Sequence, residues 1–246
     1  MEALILAAGV GNRLGELGDR PKSLLEFGGR SLMARHLDAL ARTGVTRLTV
    51  CLGYRHELIA HEIERHARLP VTTVVNPEFR QGSVRSLWTA RAALRSGADV
   101  LLMDADVLYA PRLLAALAAS RHANCFLLDR DLPPGDEPVK ICVRDGRIVE
   151  FRKKPDPAIS WDFAGESVGF FKFSPAAATE LAATTERYIA GGRHDEPYEE
   201  AIRDMILAGN QALGYEDITN TPWIEIDFPD DVRRAREEIL PGIAHE

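Results

Sequence analysis

The sequence predicts an α/β fold, with an open, mixed but mainly parallel sheet and helices on both faces. Up to residue 122, short apolar segments typical of buried strands alternate with segments that have apolar residues at helical spacing. Helices of this length between strands imply parallel pairing through right-handed crossovers. After residue 123, strand-like segments follow one another through short polar links such as "DG", which favours antiparallel pairing.

The first half contains four predicted strands, each followed by a predicted helix. Ser31 is a plausible N-cap of the first helix, which stops at Gly44, and Pro111 lies in the first turn of the fourth. The predicted strands span 3–8, 46–53, 71–76 and 99–106, and the predicted helices span 31–44, 55–69, 83–97 and 110–121.

In the second half the order of the elements changes, because four predicted strands follow one another before the first predicted helix. Predicted strands span 124–129, 138–145, 147–153 and 166–174, helices follow at about 175–190 and 197–208, and a strand at 223–227 precedes a helix at 229–240. Without an internal repeat or a clear linker, the simplest prediction is a single domain over 1–246, with halves 1–122 and 123–246.

The composition excludes several classes of protein. A formal net charge of −7 makes a nucleic-acid-coating surface improbable, so no nucleic-acid partner is expected. The three cysteines are far apart without a CxxC pair, which fits a reducing compartment and argues against structural zinc. The segment "MEALILAAGV" has too short an apolar core and an acidic second residue for a signal peptide, so none is expected there, and no segment has the ~20 apolar residues of a membrane helix. We expect a cytoplasmic protein without membrane insertion.

A glycine-rich loop follows the first predicted strand, in "LAAGVGNRLGELGDRPKSLLEFGG". It is not the dinucleotide fingerprint, because Leu14 occupies the third glycine position and no acidic residue ends the second strand. It is not a Walker A loop either, because Lys22 follows Pro21 rather than glycine. The small residues would still let backbone N–H groups approach a phosphate, with Arg13 and Lys22 adding positive charge. A solvated surface turn is the alternative.

This opening resembles that of the nucleotidyltransferases that activate sugar phosphates and phosphorylated alcohols, whose signature is "LAAGxGxRL" followed by "PK". The matching residues are Leu6, Ala7, Ala8, Gly9, Gly11, Arg13, Leu14, Pro21 and Lys22. The resemblance extends over the whole chain and implies a Rossmann-like fold, with a nucleotide-binding half (1–122) and an acceptor-binding half (123–246). It implies nucleotide contacts from the loop residues Leu6, Ala7, Ala8, Gly9 and Gly11, and catalytic roles for Arg13 and Lys22.

Acidic residues end two of the predicted strands. Asp104 and Asp106 follow "LLM", and Asp227 ends "WIEID". Ligands of open α/β sheets bind beyond the carboxyl ends of strands, and carboxylates there suit Mg²⁺. By resemblance, Asp106 and Asp227 match the paired metal ligands, and Asp104 is expected near the nucleotide. The alternative for each is a helix N-cap, the role expected of Asp230 and Asp231.

Two further regions are expected to choose the substrates. Gln81, Gly82 and Ser83 lie at a strand-to-helix turn, where the resemblance implies contact with the base; Ser83 could also cap the helix. Glu196, Tyr198 and Trp223 are candidates for binding an ammonium-bearing acceptor, through carboxylates or aromatic faces. The alternatives are a solvated helix for the acidic run and the core for Trp223.

The sequence therefore favours a Mg²⁺-dependent cytidylyltransferase that joins CTP to a small phospho- or phosphono-alcohol and releases pyrophosphate. The later segments "GESVGFFKFS" and "WIEID" resemble the short enzymes acting on phosphocholine or 2-aminoethylphosphonate. The alternative is a sugar-1-phosphate nucleotidyltransferase using UTP, dTTP or GTP. A non-catalytic nucleotide-binding module is a third hypothesis, and a homodimer is expected only by analogy.

Overall fold

The computed structural model describes residues 1–132 and 135–243, with side chains described outside 16–19. The strands are β1 (Glu2–Ala7), β2 (Glu26–Phe27), β3 (Arg30–Ser31), β4 (Arg47–Leu52), β5 (Val71–Val75), β6 (Val100–Asp104), β7 (Val107–Tyr109), β8 (Cys125–Asp129), β9 (Lys140–Arg144), β10 (Arg147–Arg152), β11 (Phe163–Phe173), β12 (Gly214–Asp217) and β13 (Trp223–Glu225).

The helices alternate with these strands. The α-helices are α1 (Leu32–Arg42), α2 (His56–His66), α3 (Ser83–Thr89), α4 (Arg91–Leu94), α5 (Pro111–Ala119), α6 (Pro175–Ala190), α7 (Tyr198–Ala208), α8 (Pro229–Arg234) and α9 (Leu240–Ile243). Two 3₁₀ segments, Asn12–Asp19 and Lys22–Leu24, follow β1, and a π-helical turn, Ala235–Ile239, joins α8 to α9.

The described strands form one mixed sheet of nine and two small ribbons. In the large sheet β5, β4, β1 and β6 are parallel neighbours, and β11 then pairs antiparallel with β6. The long β11 also pairs antiparallel with β9 and β8, while β12 adds parallel to β8. The ribbons are β2–β3 and β7–β13. This is the mainly parallel, Rossmann-like α/β fold that the sequence predicts, and the prediction is confirmed.

The core lies on both faces of the sheet, because side chains alternate along each strand. In β1, Ile5 faces the cluster beneath α1, α2 and α5, whereas Leu4 faces the cluster beneath α3, α6 and α7. A third apolar cluster joins Leu14 to β7, β13 and the C-terminal helices. Leu14 is fully buried there, so it anchors the chain segment that carries Arg13.

Several local details differ from the sequence prediction. The helix predicted over 83–97 is divided at Ala90 into α3 and α4. The short strands β2, β3, β7 and β12 were missed, since two to four residues are too few to show a period. Gly82, not Ser83, is the N-cap of α3, and the Ser83 hydroxyl instead accepts from the Tyr198 N–H at the start of α7, at 2.9 Å.

Two other observations bear on the chemistry of the chain. Cys51, Cys125 and Cys142 are buried and unbridged, and burial raises the pKa of each thiol. Thiols in such surroundings are inert packing groups. Among the described helices, none has the length and apolarity needed to cross a bilayer.

Candidate active site

A cleft of about 270 Å³ opens at the carboxyl ends of β1 and β6. The chain leaves β1 through small residues and turns at Gly11, whose φ of +71° favours glycine. A Cβ on Gly11 would also lie 3.0 Å from Lys22 Cγ, so the turn passes close beside the lysine stem. The cleft is lined by Leu6, Ala7, Gly9, Gly11, Asn12, Arg13, Pro21, Lys22, Ser23, Ala105, Asp106 and Asp227.

Lys22 lies at the centre of the cleft and bridges two carboxylates. Its Nζ donates to Asp106 Oδ2 at 2.9 Å and to Asp227 Oδ1 at 2.5 Å. Burial alone would lower the pKa of Lys22, but the two carboxylates outweigh burial and raise it. Lys22 is therefore a fixed positive charge at neutral pH, with only 16% of its side chain exposed.

Arg13 completes the positive side of the cleft from its rim. Its Nη1 donates to Asp227 Oδ2 at 3.0 Å and to Glu137 Oε2 at 3.3 Å, and its guanidinium lies over the Phe228 ring. Burial raises the pKa of Asp227, but Lys22 and Arg13 more than offset this, and the net pKa is lowered. The structure thus brings together the four residues to which the sequence assigned catalysis and metal binding.

A third carboxylate, Glu225, joins Asp106 and Asp227. One oxygen from each of the three lies within 4.8 Å of the others. Carboxylate oxygens in this number are the ligands that Mg²⁺ takes from proteins, so the donor set fits the metal that the resemblance implies. Glu225 is an exposed residue, but the protein atoms around its carboxylate displace hydrating water. This desolvation, and then the negative charges of Asp106 and Asp227, raise the pKa of Glu225 to about 8. The sequence signal for Glu225 was its position two residues before Asp227, on the same strand face.

Asp104 lies deeper than the other acidic residues. Tyr198 Oη donates to its Oδ2 at 2.7 Å. Burial, Asp106 and Glu199 raise the pKa of Asp104 well above its usual range. Gly169 faces it from β11 with a φ of +77°, and a Cβ there would collide with the Asp104 carboxylate. Glycine at this position leaves room for the buried carboxyl group.

A second pocket of about 240 Å³ adjoins the cleft and contains most of the predicted base-reading residues. Gln81 Nε2 donates to Glu78 Oε1 at 3.3 Å, which leaves Gln81 Oε1 buried without a partner among the described residues. Gly82 does not line this pocket. Its N–H donates to His194 O at 3.1 Å, and its Cα lies against the Asp195–Glu196 backbone. The lining residues are Leu6, Ala8, Gly9, Phe79, Gln81, Ser83, Ser86, Asp104, Asp106, Tyr198, Glu199 and Glu225.

A third pocket, of about 350 Å³, lies on the other side of the carboxylates and is strongly acidic. Trp223 Nε1 donates to Asp129 Oδ2 at 2.7 Å, which fixes the indole against the pocket. Glu166 lies directly across the β8–β11 pair from Asp129. Burial and the Asp129 charge raise the pKa of Glu166 to about 7. Among the described residues, the pocket has one basic lining residue, Arg234. Its acidic lining residues are Asp129, Asp131, Glu137, Glu166, Glu225, Asp227 and Asp231.

The three residues proposed for the acceptor do not come together. Trp223 lines the acidic pocket, whereas Tyr198 lines the pocket of Gln81. Glu196 lines neither of them and pairs with Arg193 at 3.5 Å. Sequence reasoning missed Asp129 and Glu166, because their proximity depends on the pairing of two distant strands. It also missed Ser23, whose buried hydroxyl faces the first cleft without a partner in the described part of the chain.

Phe228 is the N-cap of α8, so neither Asp230 nor Asp231 holds the N-cap position expected of them, but Asp231 completes the cap from the third position of the helix. Asp231 accepts hydrogen bonds from the N–H groups of Asp227 and Phe228, at 3.0 and 2.7 Å. This cap fixes the backbone that carries the Asp227 carboxylate. Asp230 instead pairs with Arg233 on the surface of α8.

Comparisons with known proteins identify the family and the fold of the chain. Residues 3–148 match the model of the MobA-like NTP transferase domain. CMP-5'-(3-aminopropyl)phosphonate synthase of Streptomyces rubellomurinus is 32% identical over 98% of the chain. The chain spans 39% of the length of that relative and about half the length of two further relatives.

Solved structures show the same fold at lower identity. The inositol-1-phosphate CTP transferase from T. maritima superposes with a TM-score of 0.78 at 21% identity, over 98% of this chain and 95% of that one. A CTP:phosphocholine cytidylyltransferase from Streptococcus pneumoniae gives 0.75 at 19% identity, over 96% and 97%. With the family model matching more than half of the chain and the fold shared throughout, the chain belongs to the MobA-like NTP transferase domain family, as its opening motif predicts.

Proposed function

We propose that this chain is a Mg²⁺-dependent cytidylyltransferase acting on a small amino-phosphonate or phosphorylated amino-alcohol. An oxygen of the acceptor's phosphonate or phosphate attacks the α-phosphorus of CTP and forms a new P–O bond. The bond to the β-phosphate oxygen breaks, and pyrophosphate leaves with that electron pair. The observation that carries the proposal is the convergence of Lys22, Arg13, Asp106 and Asp227 beneath the small-residue loop.

The main task of such a site is to bring two anions together. A phosphomonoester is largely dianionic near neutral pH, so its attack needs no general base. Lys22 and Arg13 offset the repulsion between the anions and the charge that spreads over the transition state. Asp106, Glu225 and Asp227 would hold magnesium, which supplies further neutralisation of phosphate charge when bound.

The choice of cytosine rests on Gln81. The Glu78 carboxylate can only accept a hydrogen bond, so the Gln81 amide must turn its Nε2 towards Glu78, which leaves its Oε1 as an unpaired acceptor in a residue that lines the pocket. An unpaired acceptor at this pocket suits the exocyclic amine of cytosine and opposes the carbonyl of uracil at the same place. The similarity to the CMP-5'-(3-aminopropyl)phosphonate synthase of Streptomyces rubellomurinus and to the CTP:phosphocholine cytidylyltransferase of Streptococcus pneumoniae supports the same choice.

The acceptor is inferred from the acidic pocket. The described lining holds seven carboxylates and one cation, Arg234. A neutral sugar would add no positive charge to this excess, whereas an ammonium group would offset part of it beside Asp129 and Glu166. Trp223 presents one aromatic ring, whose N–H is already bound to Asp129. Quaternary ammonium groups are recognised by several aromatic faces, so a pocket dominated by carboxylates favours a primary amine that donates directed hydrogen bonds.

Pyrophosphate release tests the proposal. Each of CTP, UTP, dTTP, ATP and GTP is offered with 2-aminoethylphosphonate, 3-aminopropylphosphonate, phosphocholine, inositol 1-phosphate or glucose 1-phosphate. We expect turnover with CTP and the aminophosphonates, loss of turnover in chelator, and loss in Asp106→Asn with the fold intact. Turnover with UTP or dTTP and glucose 1-phosphate, and none with CTP, would establish the sugar-1-phosphate alternative instead.

A further inference from the structure

A fourth cavity, separate from the three described above, lies between α1, the β2–β3 hairpin, β7 and the C-terminal helix α9. It has a volume of about 400 Å³ and shares no lining residue with the cleft or the two pockets beside it. We call it the arginine pocket, because Arg30, Arg35 and Arg42 line it. Its floor is apolar and is formed by Val107, Tyr109, Leu240 and Ile243.

The arginine pocket concentrates positive charge in an acidic protein. Arg35 and Arg42 lie seven residues apart on α1 and therefore share a helix face, with Asp38 between them. Asp38 is the only acidic residue among the described lining residues, and it pairs with Arg30. Three guanidinium groups against one carboxylate leave the lining with an excess of two positive charges, whereas the whole chain carries −7.

Two of these guanidinium groups have unused donors. Arg35 Nη2 donates to the Phe27 carbonyl at 2.5 Å, but the Nε atoms of Arg30 and Arg35 are buried without an acceptor in residues 1–132 and 135–243. Burial, and then the charge of Arg30, lower the pKa of Arg35. Buried N–H groups without a partner are rare in folded proteins, because each has lost its hydrogen bonds to water.

We propose that the arginine pocket binds a phosphate ester or phosphonate dianion with a compact organic body, at a site distinct from the catalytic cleft. Such a dianion matches the excess of two positive charges, and its oxygens supply the acceptors that the two Nε–H groups lack. Guanidinium groups suit it because their planar fork binds phosphate oxygens in pairs. The apolar floor accommodates the organic part of the ligand, which inorganic phosphate would leave uncovered.

Arginine Nε–Hε resonances report directly on this site. ¹⁵N-labelled protein is titrated with inorganic phosphate and with phenyl phosphate, against sodium chloride of equal ionic strength and against sodium benzoate. The Arg30 and Arg35 signals are assigned with the Arg30→Lys and Arg35→Lys variants. We expect saturable shifts of both signals with the two phosphates, tighter for phenyl phosphate, and weaker binding of benzoate.

Three variants separate the arginine pocket from the catalytic cleft. Arg42→Gln removes an exposed guanidinium and should weaken phosphate binding about tenfold, the equivalent of one charge-assisted hydrogen bond. Arg68→Gln, an exposed arginine on another surface, and Lys22→Ala, in the cleft, should leave the Arg30 and Arg35 shifts unchanged. The proposal is overturned if the shifts match those in chloride, if they disappear in Lys22→Ala alone, or if benzoate binds as tightly as phenyl phosphate.

Discussion

Replacing Lys22 by alanine should lower the free energy of unfolding, because the carboxylates around it would then repel one another. The substitution removes the ammonium group that bridges the carboxylates of Asp106 and Asp227 beside Glu225, and it leaves Arg13 as the cation bound to Asp227. Removing one partner of a fully buried ion pair costs about 3–5 kcal/mol. The paired side chains here keep 16–24% exposure, so solvent screening reduces the expected loss to about 2–3 kcal/mol. Because folding raises the pKa of Lys22, this contribution is present in full at pH 7.

Thermal unfolding at pH 7 measures this loss. For a domain of this size, 2–3 kcal/mol lowers Tm by about 4–12 °C. Lys154→Ala is the matched control, because Lys154 also pairs with an aspartate, Asp136, at 2.9 Å but on the exposed surface. The control should unfold at the wild-type temperature. In the activity assay, Lys22→Ala should lose ~10²–10³ in rate, since a positive group at the phosphates is gone.

Added magnesium distinguishes electrostatic repulsion from lost packing. In the wild type Mg²⁺ must compete with the Lys22 ammonium for the oxygens of Asp106 and Asp227, whereas in Lys22→Ala those oxygens have lost this partner. We expect Mg²⁺ to raise the Tm of the variant more than that of the wild type. Asp227→Asn added to Lys22→Ala should restore part of the lost stability. Equal Mg²⁺ shifts in both proteins, together with no recovery in the double variant, would refute the reasoning.

Three other substitutions test separate parts of the site. Arg13→Ala should slow turnover by ~10²–10³ while leaving Tm nearly unchanged, because Arg13 lies at the exposed rim; a large fall in Tm would assign it a structural role instead. Gln81→Leu removes the unpaired Oε1 acceptor, so the ratio of kcat/KM for CTP over UTP should fall by about tenfold or more; an unchanged ratio would remove Gln81 from base selection. The raised pKa of Glu166 means that its protonation stabilises the fold at acidic pH and that this contribution is lost as pH rises through about 7. Glu166→Gln should therefore flatten the fall in Tm between pH 6 and 8 and weaken aminophosphonate binding at pH 8, and identical profiles for the two proteins would contradict this.

The cleft that holds Lys22, Asp106 and Asp227 was predictable because each of its parts can be recognised in a short stretch of sequence. The loop with Gly11 and Lys22 occupies one short segment, and each carboxylate directly follows or ends an apolar strand, so each part can be recognised by itself. What joined them was the rule that ligands bind beyond the carboxyl ends of strands in an open α/β sheet. Asp106 and Asp227 are adjacent in space for that reason.

The acidic pocket was not predictable in the same way. Asp129 and Glu166 meet because β8 and β11 pair in one register, and a shift of one strand by a single residue would put the two side chains on opposite faces of the sheet. No local pattern specifies this register between strands separated by a hairpin and long connections. The sequence prediction instead chose Glu196 and Tyr198 from a run of acidic and aromatic residues, which folds around Gly82 on the other side of Asp104.

The β7–β13 ribbon determines when the carboxylate cluster forms relative to the central sheet. It holds the backbone N–H of Ile226 against the carbonyl of Asp106 at 2.9 Å, so Glu225 and Asp227 take their places only when β13 docks. During synthesis every strand of the central sheet emerges before β13 does. A nascent chain that has already assembled that sheet would still lack two of the three clustered carboxylates, those of Glu225 and Asp227. The carboxylate cluster would therefore form only after the central sheet has assembled. A chain truncated before β13 would fold its central sheet but have no activity.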